Sequence, residues 1–171
     1  MSSATIGVIG AGAWGTALAQ SLASDGSKVL IWAREAELVA EINTAHTNSL
    51  FLSSAKLADS ISATNQIGDL AELPVLLVVC PAQHLARVLG DLPDAPRDLV
   101  LCAKGIEAGT GRLMADVAAA AAPQASLAVL HYSPEPRVID KLIDSARLSG
   151  RDDLARWHQA HQQAVYGKQP D

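Results

Sequence analysis

The stretch Ile6-Gly7-Val8-Ile9 is apolar and runs directly into three glycines spaced Gly10-x-Gly12-x-x-Gly15, and the alanine-rich segment Thr16 to Ala23 follows at once. Strand, glycine turn and helix in that order form a turn suited to a dinucleotide pyrophosphate. Gly10 permits the tight turn, Gly12 lets the backbone approach a phosphate with no Cβ in the way, and Gly15 lets the helix pack close to the strand. Unpaired N–H groups and the helix dipole then favour an anion at the helix start. The alternative, a glycine turn that only connects a strand to a helix, is the weaker reading in this context.

A second strand, Lys28 to Trp32, completes a βαβ unit, so the residues after it should meet the ribose of an adenosine. An NAD site usually places Asp or Glu there, about 20 residues beyond the glycines. Here Ala33 and Arg34 hold the position. No carboxylate is available to grip the ribose hydroxyls, whereas the Arg34 guanidinium can pair with a 2′-phosphate and favour NADP over NAD. An exposed arginine neutralising Glu35 or Glu37 is the other reading.

At 171 residues the chain suits one domain, or one with an appendage, and can bury a sizeable core. Its net charge of −5, without a Lys or Arg cluster, leaves no electrostatic footprint for nucleic acid or an anionic membrane. Residues 1–5 lack a basic group, and the apolar run after them is broken by glycines. Neither a signal peptide nor a membrane span is therefore expected, and cytoplasm is the default location. Cys80 and Cys102 fall near the ends of buried strands without CxxC spacing and read as reduced core thiols with no chemistry.

Further along, Glu35 to Ala45 reads as a helix and His46 to Asp69 as a long polar connection. The apolar runs Pro74 to Cys80 and Leu99 to Ala103 read as strands covered on both faces, with a crossover helix over Gln83 to Leu89 between them. An alanine-rich helix over Arg112 to Ala122 stops at Pro123, and Ala125 to Leu130 reads as a last strand. Alternating strands and helices predict an α/β fold with a Rossmann-type doubly wound parallel sheet, followed by a short helical C-terminal appendage. His46 and His84 have no companions that spell a metal site or catalytic dyad, so no metal is expected.

Several of these segments together resemble the N-terminal domain of bacterial NAD(P)-dependent glycerol-3-phosphate dehydrogenase, over about residues 6–130. The family's glycine turn carries an aromatic before its last glycine, as Trp14 does here. Asn48-Ser49-Leu50-Phe51-Leu52 is similar to its Asn-x-x-aromatic-Leu-Pro segment, although Ser53 replaces the proline. Ala103-Lys104-Gly105-Ile106-Glu107 resembles its Thr-Lys-Gly-Leu-Glu segment, and Val79-Cys80-Pro81-Ala82 falls where the family has a Val-Pro-Ser turn beside the cofactor. The resemblance implies an oxidoreductase of phospholipid precursor synthesis that interconverts dihydroxyacetone phosphate and glycerol 3-phosphate with NADP or NAD. It admits a homodimer.

Gly10, Gly12, Ala13, Trp14, Gly15, Arg34, Pro81 and Lys104 are the implied cofactor-binding residues, and Lys104 is also the implied substrate contact. Read from its own position, Lys104 follows a buried strand at the carboxyl end of the sheet, where ligands of open α/β folds bind; it is equally placed to be a solvated partner of Glu107. Trp14 has a core reading beside the cofactor one.

After Leu130 the resemblance stops. The family continues with Ser-Gly-Pro and a helical domain that carries the general-base lysine, whereas this chain reads His131-Tyr132-Ser133-Pro134-Glu135-Pro136. Residues 131–171 are expected to form short helices and a polar tail. A truncated or frameshifted gene, a fusion, and a non-catalytic NAD(P)-binding module are all compatible with such a join. With no catalytic lysine recognised, the polypeptide by itself is expected to turn over substrate very poorly.

Overall fold

The computed structural model describes residues 5–103, 105–129 and 156. The chain divides into two compact units, Met1–Leu127 and Ala128–Asp171. The helices expected beyond residue 137 lie outside the described residues, as does Lys104.

The first unit begins with β1 (Ile6–Ile9), whose four residues are all buried, so this strand is covered on both sheet faces. The glycine turn leads into α1 (Ala13–Leu22), which ends in a short 3-10 turn closed by Gly26. Next come β2 (Val29–Trp32) and α2 (Ala36–Ala45). The polar stretch expected to be a plain connection instead contains three strands: a hairpin of β3 (Thr47–Asn48) with β4 (Leu52–Lys56), and β5 (Ile61–Thr64). These strands are short and their apolar content is thin, so no long periodic signal marks them. In β5 only Ile61 and Ala63 turn inward, while Ser62 is exposed.

The chain then alternates again through β6 (Val75–Val78), α3 (Leu85–Gly90), β7 (Asp98–Leu101), α4 (Met114–Ala121) and β8 (Ser126–Val129). The helix expected over Gln83 to Leu89 divides, because Ala82–His84 turns as a 3-10 segment before α3 starts. Gly90 ends α3 from within. The segment expected as helix from Arg112 starts two residues later, with Leu113 in extended conformation as its N-cap.

The main sheet has the order β5-β2-β1-β6-β7-β8. The pairings β1 with β2, β1 with β6, β2 with β5, and β6 with β7 are all parallel. The strands run outward from β1 in both directions, the doubly wound arrangement, and its direction reverses between β1 and β6. Register aligns Ile9 with Trp32 and Val78, and Val78 with Leu101, so four strands end along one edge. The core beneath includes Val8, Ile31, Leu76, Leu99 and Leu101, all at most 1% exposed. Burying side chains of that size contributes about 1.5–3 kcal/mol each before the chain-entropy cost is set against it.

A candidate dinucleotide site at the switch point of the sheet

The glycine turn leaves the sheet at the reversal between β1 and β6, where ligands of open α/β sheets bind. Gly10 sits at φ +115°, a conformation other residues rarely adopt, and donates its N–H to the Trp32 carbonyl at 3.0 Å. A Cβ on Gly15 would overlap the carbonyl oxygen of Gly10, so helix and turn meet with no room for a side chain. Gly12 contrasts with both, since a Cβ there would meet nothing within 4 Å. Gly12, Ala13 and Trp14 form an exposed stretch between buried Ala11 and buried Gly15.

Gly12 is also the N-cap of α1, where no side chain caps the helix and no acidic residue lies in the first turn. The N–H groups of that turn therefore carry their partial positive charge toward an open surface. Backbone without a side chain, uncapped donors and the favourable end of a dipole are what a pyrophosphate needs.

Pro81 and Arg34, also expected at the site, follow the ends of strands on the same edge. Val79 donates its N–H to the Ile9 carbonyl at 2.9 Å, which brings the segment Val79 to Pro81 beside Gly10. Pro81 is exposed at the start of the 3-10 turn that follows. On the opposite side, Ala33 is buried and Arg34 exposed, and the guanidinium donates through Nε and Nη2 to one carboxylate oxygen of Glu35 at 3.2 and 3.0 Å. Arg34 thus pairs with Glu35, yet an ion pair this exposed is worth at most about 1 kcal/mol and can be exchanged for a phosphate. Beyond β7, Cys102 donates its N–H to the Val78 carbonyl at 2.9 Å, so the chain leaves β7 on this edge too.

Two thiols, Cys80 buried and Cys102 half-buried, flank the site without entering its chemistry. Desolvation pushes both Cys80 and Cys102 up to about 11, so neither supplies a thiolate near neutral pH. His46 closes α2 in a left-handed conformation with Nε2 3.8 Å from an Asp59 oxygen, and His84 ends the 3-10 turn. Among the described residues no group of three or more His, Cys, Asp or Glu could hold a metal.

Three side chains that sequence reasoning left without a role help to build this edge. Asn48 is fully buried and donates its amide to the Ala11 carbonyl at 2.9 Å and to the Thr16 hydroxyl oxygen at 2.8 Å. Thr16 in turn donates to the same carbonyl at 3.2 Å. Gln83 holds the loop after residue 104 from two directions, donating to the Ile106 carbonyl at 3.1 Å and accepting from the Ala108 N–H at 2.8 Å. Asn48 stood inside a segment singled out for its resemblance, but nothing local marked the amide as buried.

The family model for the N-terminus of NAD-dependent glycerol-3-phosphate dehydrogenase matches residues 5–132. The chain belongs to this family. Curated glycerol-3-phosphate dehydrogenases [NAD(P)+] from Erythrobacter litoralis and Novosphingobium aromaticivorans are 61% identical over 127 residues and 64% identical over 125. These alignments cover 74% and 73% of this chain but 38% of each relative. The crystal structure of a glycerol-3-phosphate dehydrogenase from Coxiella burnetii superposes with a TM-score of 0.66 at 31% identity, covering 72% of this chain and 39% of that one. The chain therefore spans well under half the length of the glycerol-3-phosphate dehydrogenases it matches. A second model, the C-terminal part of a virulence-factor membrane-bound polymerase, matches residues 108–171, and its part up to residue 132 falls within the dehydrogenase match. Among the described residues, no helix is long and apolar enough to cross a membrane.

Proposed function

We propose that this chain is the cofactor-binding part of a glycerol-3-phosphate dehydrogenase, taking NADP or NAD at the edge formed by Gly10 to Gly15. The observation that carries the proposal is the pairing of an open Cβ direction at Gly12 with an uncapped helix start at the sheet's switch point. The domain division follows as 1–130 for the cofactor and 131–171 for a separate tail.

In this reading Gly12, Ala13, Trp14 and Gly15 hold the pyrophosphate through their N–H groups, Arg34 leaves Glu35 to pair with a 2′-phosphate, and Pro81 borders the dinucleotide on the β6 side. Lys104 reaches the cofactor and the phosphate or hydroxyl of dihydroxyacetone phosphate or glycerol 3-phosphate, as a flexible ammonium on a strand-end loop can. The bound cofactor supplies the redox step; the residues here bind and orient. Phospholipid precursor supply, a cytoplasmic location and a homodimer belong to the same proposal, as what the family resemblance of the sequence implies.

Titration of the purified chain with NADPH and NADH, together with an assay on dihydroxyacetone phosphate, tests it. Cofactor binding with turnover barely above background is expected. A chimera that replaces residues 131–171 with the corresponding domain of a full-length relative should turn over at least about 10²-fold faster, the size of effect that general acid/base assistance usually supplies. Binding without turnover in either protein would favour a non-catalytic module. Absence of binding would refute the cofactor reading.

A further inference from the structure

The described residues that bury a polar or charged side chain are Thr16, Asn48 and Arg97, and two of these three converge on one carbonyl oxygen, that of Ala11 in the glycine turn. Asn48 reaches it from 37 positions away. Both of its amide protons are used, on Ala11 and Thr16, and its Oδ1 accepts the Phe51 N–H at 3.0 Å. Burying an amide this completely is unfavourable unless its bonds are made, so the site is built to keep this geometry.

What the geometry controls follows from the planarity of the peptide bond. The described backbone contains no cis peptide, so the Ala11 carbonyl and the Gly12 N–H lie on one rigid plane and point in opposite directions. Holding the oxygen inward aims the N–H outward, into the open space over Gly12. The same glycine that admits a phosphate also makes this plane easy to rotate, because a residue without Cβ opposes the flip weakly. A turn that must offer a fixed donor at a glycine needs an anchor on the carbonyl next to it.

We propose that Asn48, seconded by Thr16, is a positioning residue of the dinucleotide turn, holding the Ala11–Gly12 peptide so that its N–H faces the pyrophosphate. The proposal rests on the cofactor reading above. Because Asn48 also closes the tip of the β3–β4 hairpin through Phe51, it ties the exposed Phe51 and the phosphate turn to one buried amide.

The test is titration of the full chain and of Asn48→Ala, Thr16→Val and Thr16→Ser with NADPH and with adenosine 2′-phosphate, which lacks the pyrophosphate. Asn48→Ala should weaken NADPH roughly tenfold or more, as expected when a buried acceptor loses its donor, while adenosine 2′-phosphate changes by less than about twofold. Thr16→Val should shift NADPH in the same direction by less, and Thr16→Ser, which keeps the hydroxyl, should match the unmutated chain.

Unchanged NADPH affinity in a folded Asn48→Ala protein overturns the proposal. Equal losses for both ligands overturn it too, since general damage to the fold would not single out the pyrophosphate. Should Asn48→Ala fail to fold, the Thr16 pair decides, and equal NADPH affinities for Val and Ser would count against the anchor. An unmutated chain that binds neither NADPH nor NADH would remove the cofactor reading itself, an outcome visible before any variant is made.

Discussion

Gly15 lies against the carbonyl of Gly10 so closely that a methyl group on it would overlap the oxygen, whereas two residues past Gly10 the backbone of Gly12 faces open space. The two glycines should therefore fail in different ways. Gly15→Ala should lower stability by about 1–3 kcal/mol, toward the upper end because its partner is backbone and cannot swing aside. Gly12→Val should leave the melting temperature nearly unchanged, since φ −66° and ψ 178° suit any residue, yet abolish cofactor binding. Thermal melts paired with NADPH titration separate the two; a Gly12→Val protein that still binds NADPH normally would make the turn purely structural.

Cofactor preference should depend on Arg34. With buried Ala33 where a ribose-gripping carboxylate would stand, NADPH is expected to bind about tenfold more tightly than NADH, a modest gap because Arg34 is exposed and must leave Glu35. Arg34→Ala should bring the two affinities together. Calorimetry on both proteins gives the answer, and equal affinities in the unmutated chain would exclude a role for Arg34 in selecting the phosphate.

Arg97 is a stabilising residue away from the site. Its buried guanidinium donates to the carbonyls of Pro93 at 2.7 Å, Leu70 at 3.3 Å and Ala95 at 3.4 Å, and burial lowers its pKa against the opposing pull of Asp94 and Glu72. Arg97→Met fills much of the space but strands those acceptors. A loss of about 2–3 kcal/mol is expected in denaturant melts, with NADPH affinity unaltered.

The two thiols make stability fall at high pH. Cys80 and Cys102 ionise near 9 in an unfolded chain but near 11 in the folded one, because burial disfavours the thiolate. Between those values the unfolded state sheds protons that the native state keeps, so their contribution is complete below pH 9 and is lost as pH rises toward 11. Melting temperatures should decline over that interval, and less steeply in a Cys80→Ala, Cys102→Ala protein when each is compared with its own value at pH 8. At pH 8 the native thiols should react with a thiol reagent only slowly.

The glycine turn and the central strands were legible along the chain, because each depends on local covalent properties. Glycine spacing selects the turn, and unbroken apolar runs such as Val75 to Val78 select strands covered on both faces. The hairpin and β5 were not legible. Strands of two to five residues among serines and threonines carry no period long enough to read, and Ile61 and Ala63 become core positions only once β2 lies alongside them.

Sequence by itself determined that Gly10 to Gly15 would form a tight turn from strand into helix, since that follows from residues within a few positions of one another. Tertiary structure alone decided that the amide of Asn48 would close on the Ala11 carbonyl. A hydrogen bond tolerates errors of only a few tenths of an ångström, and its two ends here are joined by α1, β2, α2 and the turns between them. Their summed geometry, which no local pattern encodes, places Asn48 under the turn.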